Sequence, residues 1–176
     1  FSPDSQLLAY FDAGSLMKRR VNGGTPVRVA QHAGYFGNTA WGTDDVLTHA
    51  PMPGFGLARV KSVSGSDEFI TVLNLAKDEF AHLQPCVTSD NQWLLYGVWN
   101  GRDTMRVDAR NLATGQTHPV MTNASSPRLA NTPKGQYLLF ARGQTIFAAR
   151  FDPGIAQVTA AEQPVVDGVL TDRALF

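Results

Sequence analysis

The chain has 176 residues, fifteen basic and fifteen acidic side chains, and a formal charge of zero. That length suits one domain with its own core, and balanced charge argues against nucleic acid or an anionic membrane surface as main partner, since both call for clustered Lys and Arg. The lone Cys86 forms no internal disulfide, and no apolar run approaches the roughly 20 residues of a transmembrane helix.

The first element is "SPDSQLLAYF" (2–11), a small polar turn followed by large apolar residues. Pro, Asp, Asn and Gly tolerate tight backbone angles, and the run suits a strand buried on both faces. "SLMKRRV" (15–21) and "NGGTPVRVA" (22–30) read as the next two strands. Alternation keeps Lys18, Arg19 and Arg20 off a single face, so the three form a charged strand edge that discourages edge pairing.

The second unit reads "NTAWG", "GTDDVLTHA" (42–50), "GLARVKSV" (56–63) and "SDEFITVLN" (66–74). "LNLAKDEFAHL" (73–83) reads as a loop with one helical turn. The third is "LQPCVT", "TSDNQWLLYGV" (88–98), "TMRVDARNL" (104–112) and "TGQTHPVMT" (114–122). The fourth is "SPRLANT", "TPKGQYLLFAR" (132–142), "TIFAARFD" (145–152) and "EQPVVDGV" (162–169).

Asp4 to Asp44 spans 40 positions, Asp44 to Asp90 spans 46, and Asp90 to Lys134 spans 44. Four strands in about 40–45 residues is the period of a propeller blade. The predicted fold is therefore all-β, a β-propeller of four-stranded blades over 1–37, 38–80, 81–123 and 124–170. Residues 171–176, "TDRALF", placed before "FSPDSQ", read as one unbroken inner strand and turn. They are expected to supply the strand that the first blade lacks, in the same chain or a partner chain, closing a four-bladed ring or a larger one. Open apolar ends favour a homo-oligomer. Leu139 is expected between blades.

No G-x-S-x-G elbow, kinase catalytic loop or "DFG" occurs. "GFGLAR" (54–59) lacks the third glycine of a phosphate loop. His32, His49, His82 and His118 form no closely spaced pair, so no metal site is assigned. No catalytic residue and no cofactor is assigned either. The binding candidates are Asn38, His82, Gln84 and Arg128, each near an inner-strand end, where they form a polar funnel at the channel mouth for a peptide or small ligand, or else cap strand ends. The aromatics Phe11, Trp41, Trp93, Tyr96, Trp99, Tyr137 and Phe140 read as blade-to-blade packing rather than a base-stacking platform, because a basic groove is lacking.

"FSPDSQLLAY", "NGGTPVRVA", "AWGTDDVLTHAP", "QPCVTSDNQWLLYGV" and "LATGQ" resemble TolB-like, WD-repeat-like propeller repeats. The fourth unit, from "ASSPRLANTPKGQ" to "EQPVVDGV", is similar to the propeller segments that follow the kinase domain of bacterial serine/threonine protein kinases. The resemblance implies a ring of six or more blades, a location outside the cytoplasm, and a non-catalytic scaffold that binds or senses a protein or small ligand. The rival reading is an accessory propeller that regulates a kinase or gates a peptidase. Departures from the pattern are the charged "KRR" in the first blade, Asp44-Asp45 in the second turn, and "HLQPC" where the family often has "HRWPQ".

Overall fold

The computed structural model describes residues 1–31, 39–52, 54–63, 65–102 and 105–169. The polar turns repeat at atomic level. In the first, Ser2 Oγ donates to Asp4 Oδ1, Gln6 N–H donates to the same oxygen, and Ser2 N–H reaches Leu7 O. Thr88, Asp90, Gln92 and Trp93 repeat those bonds in the third. The fourth residue of every turn has positive φ: Ser5 at 59°, Asp45 at 59°, Asn91 at 54° and Gly135 at 118°. The left-handed region favours glycine and short polar side chains, so the turn geometry explains why these positions carry Ser, Asp, Asn and Gly.

Each turn leads into an antiparallel sheet. Blade 1 holds β1 (Leu7–Asp12), β2 (Ser15–Arg20) and β3 (Val27–Gln31) in that order. Blade 2 holds β4 (Ala40–Trp41), β5 (Val46–His49), β6 (Ala58–Lys61) and β7 (Glu68–Phe69). Blade 3 is β8 (Ala81–Val87), β9 (Trp93–Trp99), β10 (Met105–Asn111) and β11 (Thr117–Thr122). Blade 4 is β12 (Ser125–Thr132), β13 (Gly135–Arg142) and β14 (Thr145–Asp152), with the short β15 (Gln157–Val158) and β16 (Gln163–Val166) both on β14.

Three apolar cores lie between successive blades. Leu16, Val29, Leu47 and Val60 join blades 1 and 2. Leu57, Ala81, Leu94 and Tyr96 join blades 2 and 3. Leu95, Val107, Leu138 and Phe140 join blades 3 and 4. Each such leucine, valine or phenylalanine stabilises the stack by about 1.5–3 kcal/mol. Polar links reinforce the junctions: Lys18 Nζ donates to Ser62 Oγ, and Asn91 binds the Thr43 N–H and hydroxyl.

Three expectations change. Lys18, Arg19 and Arg20 do not form a strand edge, because β2 lies between β1 and β3 and pairs with both. Leu139 is not in the junction core: Leu138 and Phe140, on either side of it, fill the junction with blade 3, and Leu139 is half-buried on the opposite face. The "SDEFITVLN" strand shrinks to Glu68–Phe69, because the Ile70 and Thr71 N–H groups both turn onto the Leu57 carbonyl and the chain leaves the sheet. The linker then makes a single 3-10 turn at Leu75–Lys77. Asn38, His32 and the closing segment 171–176 lie outside the described residues. Among the described residues no helix is long and apolar enough to cross a membrane.

Candidate functional site

Arg106, Asp108 and Arg110 alternate along β10 and so share one face. Register shows how unusual that is. Asp108 stands opposite Tyr96, and the equivalent places in blades 1, 2 and 4 are Met17 opposite Tyr10, Ala58 opposite His49, and Phe147 opposite Phe140. The other three blades carry an apolar group at this place where blade 3 carries a carboxylate.

That carboxylate belongs to a network built by the linker. Asp78, in the left-handed conformation (φ 54°), ends the 3-10 turn and sends Glu79 inward. Glu79 Oε2 accepts from Asn74 N–H at 2.7 Å and faces His82 Nε2 at 3.1 Å, while Oε1 meets Arg106 at 2.5 Å. Arg106 also grips Asp108 through Nε at 2.8 Å and a terminal nitrogen at 2.9 Å. His82 Nδ1 lies 2.8 Å from Thr71 Oγ1, which accepts from Leu57 N–H at 2.7 Å. Thr71, Glu79, His82 and Asp108 are all buried.

These partners assign the tautomer. Thr71 donates its hydroxyl proton to Nδ1, and a neutral His82 donates from Nε2 to Glu79. Burial pushes the His82 pKa down, outweighing the pull of Glu79 in the other direction. Burial opposes ionisation of Glu79, yet Asn74, Arg106 and His82 together hold its carboxyl below the usual range. The Asp108 hydrogen bonds hold Arg106 firmly charged against its own partial burial. Tyr96, with its ring centroid 4.9 Å from that of His82, is pushed up to about 12 by burial and by the nearby Asp108.

Thr71, His82 and Glu79 have the outline of a nucleophile–base–carboxylate relay. Its threonine oxygen, however, is tied to the backbone of the second blade. A Cβ on Gly56 would come within 1.9 Å of Thr71 O, so only glycine lets the two segments approach this closely. Thr71 is a clamp: its oxygen accepts from the Leu57 N–H and faces the His82 ring nitrogen.

The network floors a cleft of about 740 Å³ between blades 2 and 3, within the range of ligand sites, about 300–1,000 Å³. Lys77 and Arg110 line its walls with Thr117 and His118. Phe69 and Val72 stand at the same cleft, 52% and 86% exposed. A buried ionic floor with a rim of exposed apolar side chains offers directed hydrogen bonds and a hydrophobic anchor together.

His82 is the sequence-predicted residue that enters this site. Gln84, at φ 54° before Pro85, accepts from Ser126 N–H at 2.7 Å and straps the inner strands of blades 3 and 4 together. Arg128, on β12, donates to Pro127 O at 2.7 Å. Gln84 and Arg128 thus belong to the blade 3–4 side and His82 to the blade 2–3 side. His49 Nε2 sits 3.0 Å from Asp67, and His118 packs edge-on to Trp93. Among the described residues no group of three or more His, Cys, Asp or Glu side chains is placed to hold a metal ion. Sequence reasoning missed Thr71, Glu79, Arg106 and Asp108. The available signal was the alternating Arg106, Asp108, Arg110 in a strand whose counterpart in blade 4 is Thr145, Phe147, Ala149.

Solved structures share this architecture. The putative TolB from Agrobacterium tumefaciens superposes with a TM-score of 0.70 at 15% identity, over 95% of this chain and 60% of that one. TolB from Acinetobacter baumannii gives 0.69 at 14%, over 96% and 43%. Regucalcin, a calcium-binding protein from Agrobacterium tumefaciens, gives 0.68 at 16%, over 96% and 58%. The fold is that of a β-propeller, and the chain spans 43–60% of the length of these structures. No protein-family model matches the chain, and neither does any curated protein.

Proposed function

We propose that this propeller is a non-catalytic binding scaffold whose site is the cleft between blades 2 and 3, and that its partner is a peptide or an extended segment of a protein. The observation that carries the reading is the substitution of ions for apolar groups at one of four equivalent blade positions. Local rules of packing are broken where function requires it, and a buried, fully partnered polar network fixes the donors and acceptors that a ligand meets. The exposed Phe69 and Val72 beside it suit a partner that brings an apolar side chain as well as a polar group.

The channel-mouth candidates Gln84 and Arg128 remain proposed as a second contact surface on the inner strands, and Asn38, outside the described residues, remains proposed from its sequence alone. A location outside the cytoplasm, and a regulatory or gating role beside a kinase or peptidase domain, rest on the family resemblance alone.

Panning a random peptide display library on the purified chain tests the site. Peptides enriched on the parent should bind the Arg106→Thr, Asp108→Phe double variant at least about tenfold more weakly, a difference of about 1.4 kcal/mol. That variant gives blade 3 the residues of blade 4. Peptides held equally by both proteins, or no enrichment on the parent, would place binding elsewhere.

A further inference from the structure

Three basic side chains, Lys77, Arg106 and Arg110, and two acidic ones, Glu79 and Asp108, line the cleft between blades 2 and 3. Both carboxylates are buried and already bonded. Glu79 accepts from Asn74 N–H and His82 and meets Arg106, and both Asp108 oxygens meet Arg106. Lys77 and Arg110 have no carboxylate partner among the described residues. Lys77 is exposed at the end of the 3-10 turn, and Glu79 pins the start of that turn through Asn74 N–H. Arg110 is half-buried, and a backbone carbonyl, Gly115 O, holds its guanidinium at 2.5 Å. A carbonyl positions a cation without neutralising it.

With histidine counted as neutral, the cleft thus carries one net positive charge, and two of its cations lack a counter-ion. Complementary charge is what selects a partner. A carboxylate brings one negative charge, whereas a phosphate brings about −1.5 to −2 at pH 7, so the balance of the cleft suits a carboxylate. A guanidinium also presents paired N–H donors to the two oxygens of that group. The space continues beyond the cleft. A second chamber of about 250 Å³, walled by Trp99, Met105 and Asn123, shares Lys77, Glu79, Arg106 and Thr122 with it. The shared residues make the two spaces neighbours, so a chain that meets Lys77 has room to run on in both directions. A free chain end needs only one.

We infer that the cleft selects an acidic peptide: an internal Asp or Glu of the partner pairs with Lys77 and Arg110, while an apolar neighbour covers Phe69 and Val72. This rests on the cleft being the binding site, as proposed above. The probes are fluorescein-labelled synthetic peptides, amidated at the C-terminus. Their sequences are those enriched on the parent chain that lose binding to the Arg106→Thr, Asp108→Phe variant. Each should contain Asp or Glu, and replacing that residue by Asn or Gln should weaken binding about tenfold in fluorescence anisotropy. Arg110→Gln should weaken the acidic peptide about tenfold and the exposed Lys77→Gln about threefold. The neutral peptide should bind parent and both variants alike. If Arg110→Gln fails to fold by circular dichroism, Lys77→Gln carries the test. Cleft-dependent peptides without an acidic residue, or a neutral peptide that binds as tightly as its acidic parent, overturn the inference and leave the cleft reading standing. So does binding only with a free C-terminal acid, which marks a chain end, or tighter binding with phosphoserine at the acidic position, which marks a phosphate site. The absence of any cleft-dependent peptide overturns the cleft reading itself, and this inference with it.

Discussion

At the junction of blades 3 and 4, Phe147 and Ala149 hang from β14 among Leu95, Val107 and Ala109, and the space is sealed. At the junction of blades 2 and 3, the same two places on β10 carry Asp108 and Arg110, and the space opens into the cleft. The backbone is the same repeat in both. The difference shows that a blade needs its inner apolar positions, such as Leu94 and Leu138, to stack, while the outer positions are free to take on other chemistry. The cost of charge there is met by pairing: Arg106 lies between two carboxylates, and Glu79 gains a backbone N–H and a neutral histidine.

The sealed junction is broken most severely by Leu138→Asp, which buries a carboxylate with no partner. We expect a loss of about 5 kcal/mol or more and no cooperative melting transition by circular dichroism. Leu139→Asp, one residue on and half-buried, should stay folded; equal damage from both would put the core on both faces of β13. At the open junction, Arg106→Ala leaves Glu79 and Asp108 buried without their cation and should cost about 3–5 kcal/mol in denaturant unfolding. Adding Asp108→Phe to Arg106→Thr should recover much of that loss, since it copies blade 4. A double variant no more stable than Arg106→Ala would mean that the two junctions differ in more than these side chains.

The smallest effect is on pH dependence. The folded state holds the His82 pKa below its ordinary value of 6.5, so the unfolded chain takes up this proton first on acidification. Stability from His82 is complete above pH 6.5 and is lost as pH falls through the depressed folded pKa. Glu79, also depressed, acts in the same direction below its ordinary value of 4.5. His82→Gln should flatten the upper window, where one proton contributes at most about 1.4 kcal/mol per pH unit. An unchanged slope in a urea titration between pH 6.5 and 5 would show that His82 is not held neutral.

The blade 3–4 junction was legible because each of its residues announces itself locally. "QYLLFAR" is a strand by composition, and "TPKG" is a turn by its glycine. The face that each residue takes was not legible: alternation says that Leu138 and Leu139 part company, and neighbouring blades decide which of them is covered. The blade 2–3 site was harder still. Glu79 and Arg106 are 27 positions apart, and Thr71 reaches His82 only because β7 ends early.

The sequence by itself determined the repeat, the turns and the strands, and with them the propeller. Those follow from backbone preferences and hydrophobic pattern within a few residues of each other, forces that act over one turn or one strand. Only the tertiary structure decided that Glu79, His82, Arg106 and Asp108 share one network, and that Leu138 rather than Leu139 fills the junction with blade 3. Burial and ion pairing belong to the space between blades, and that space exists only once the sheets have stacked.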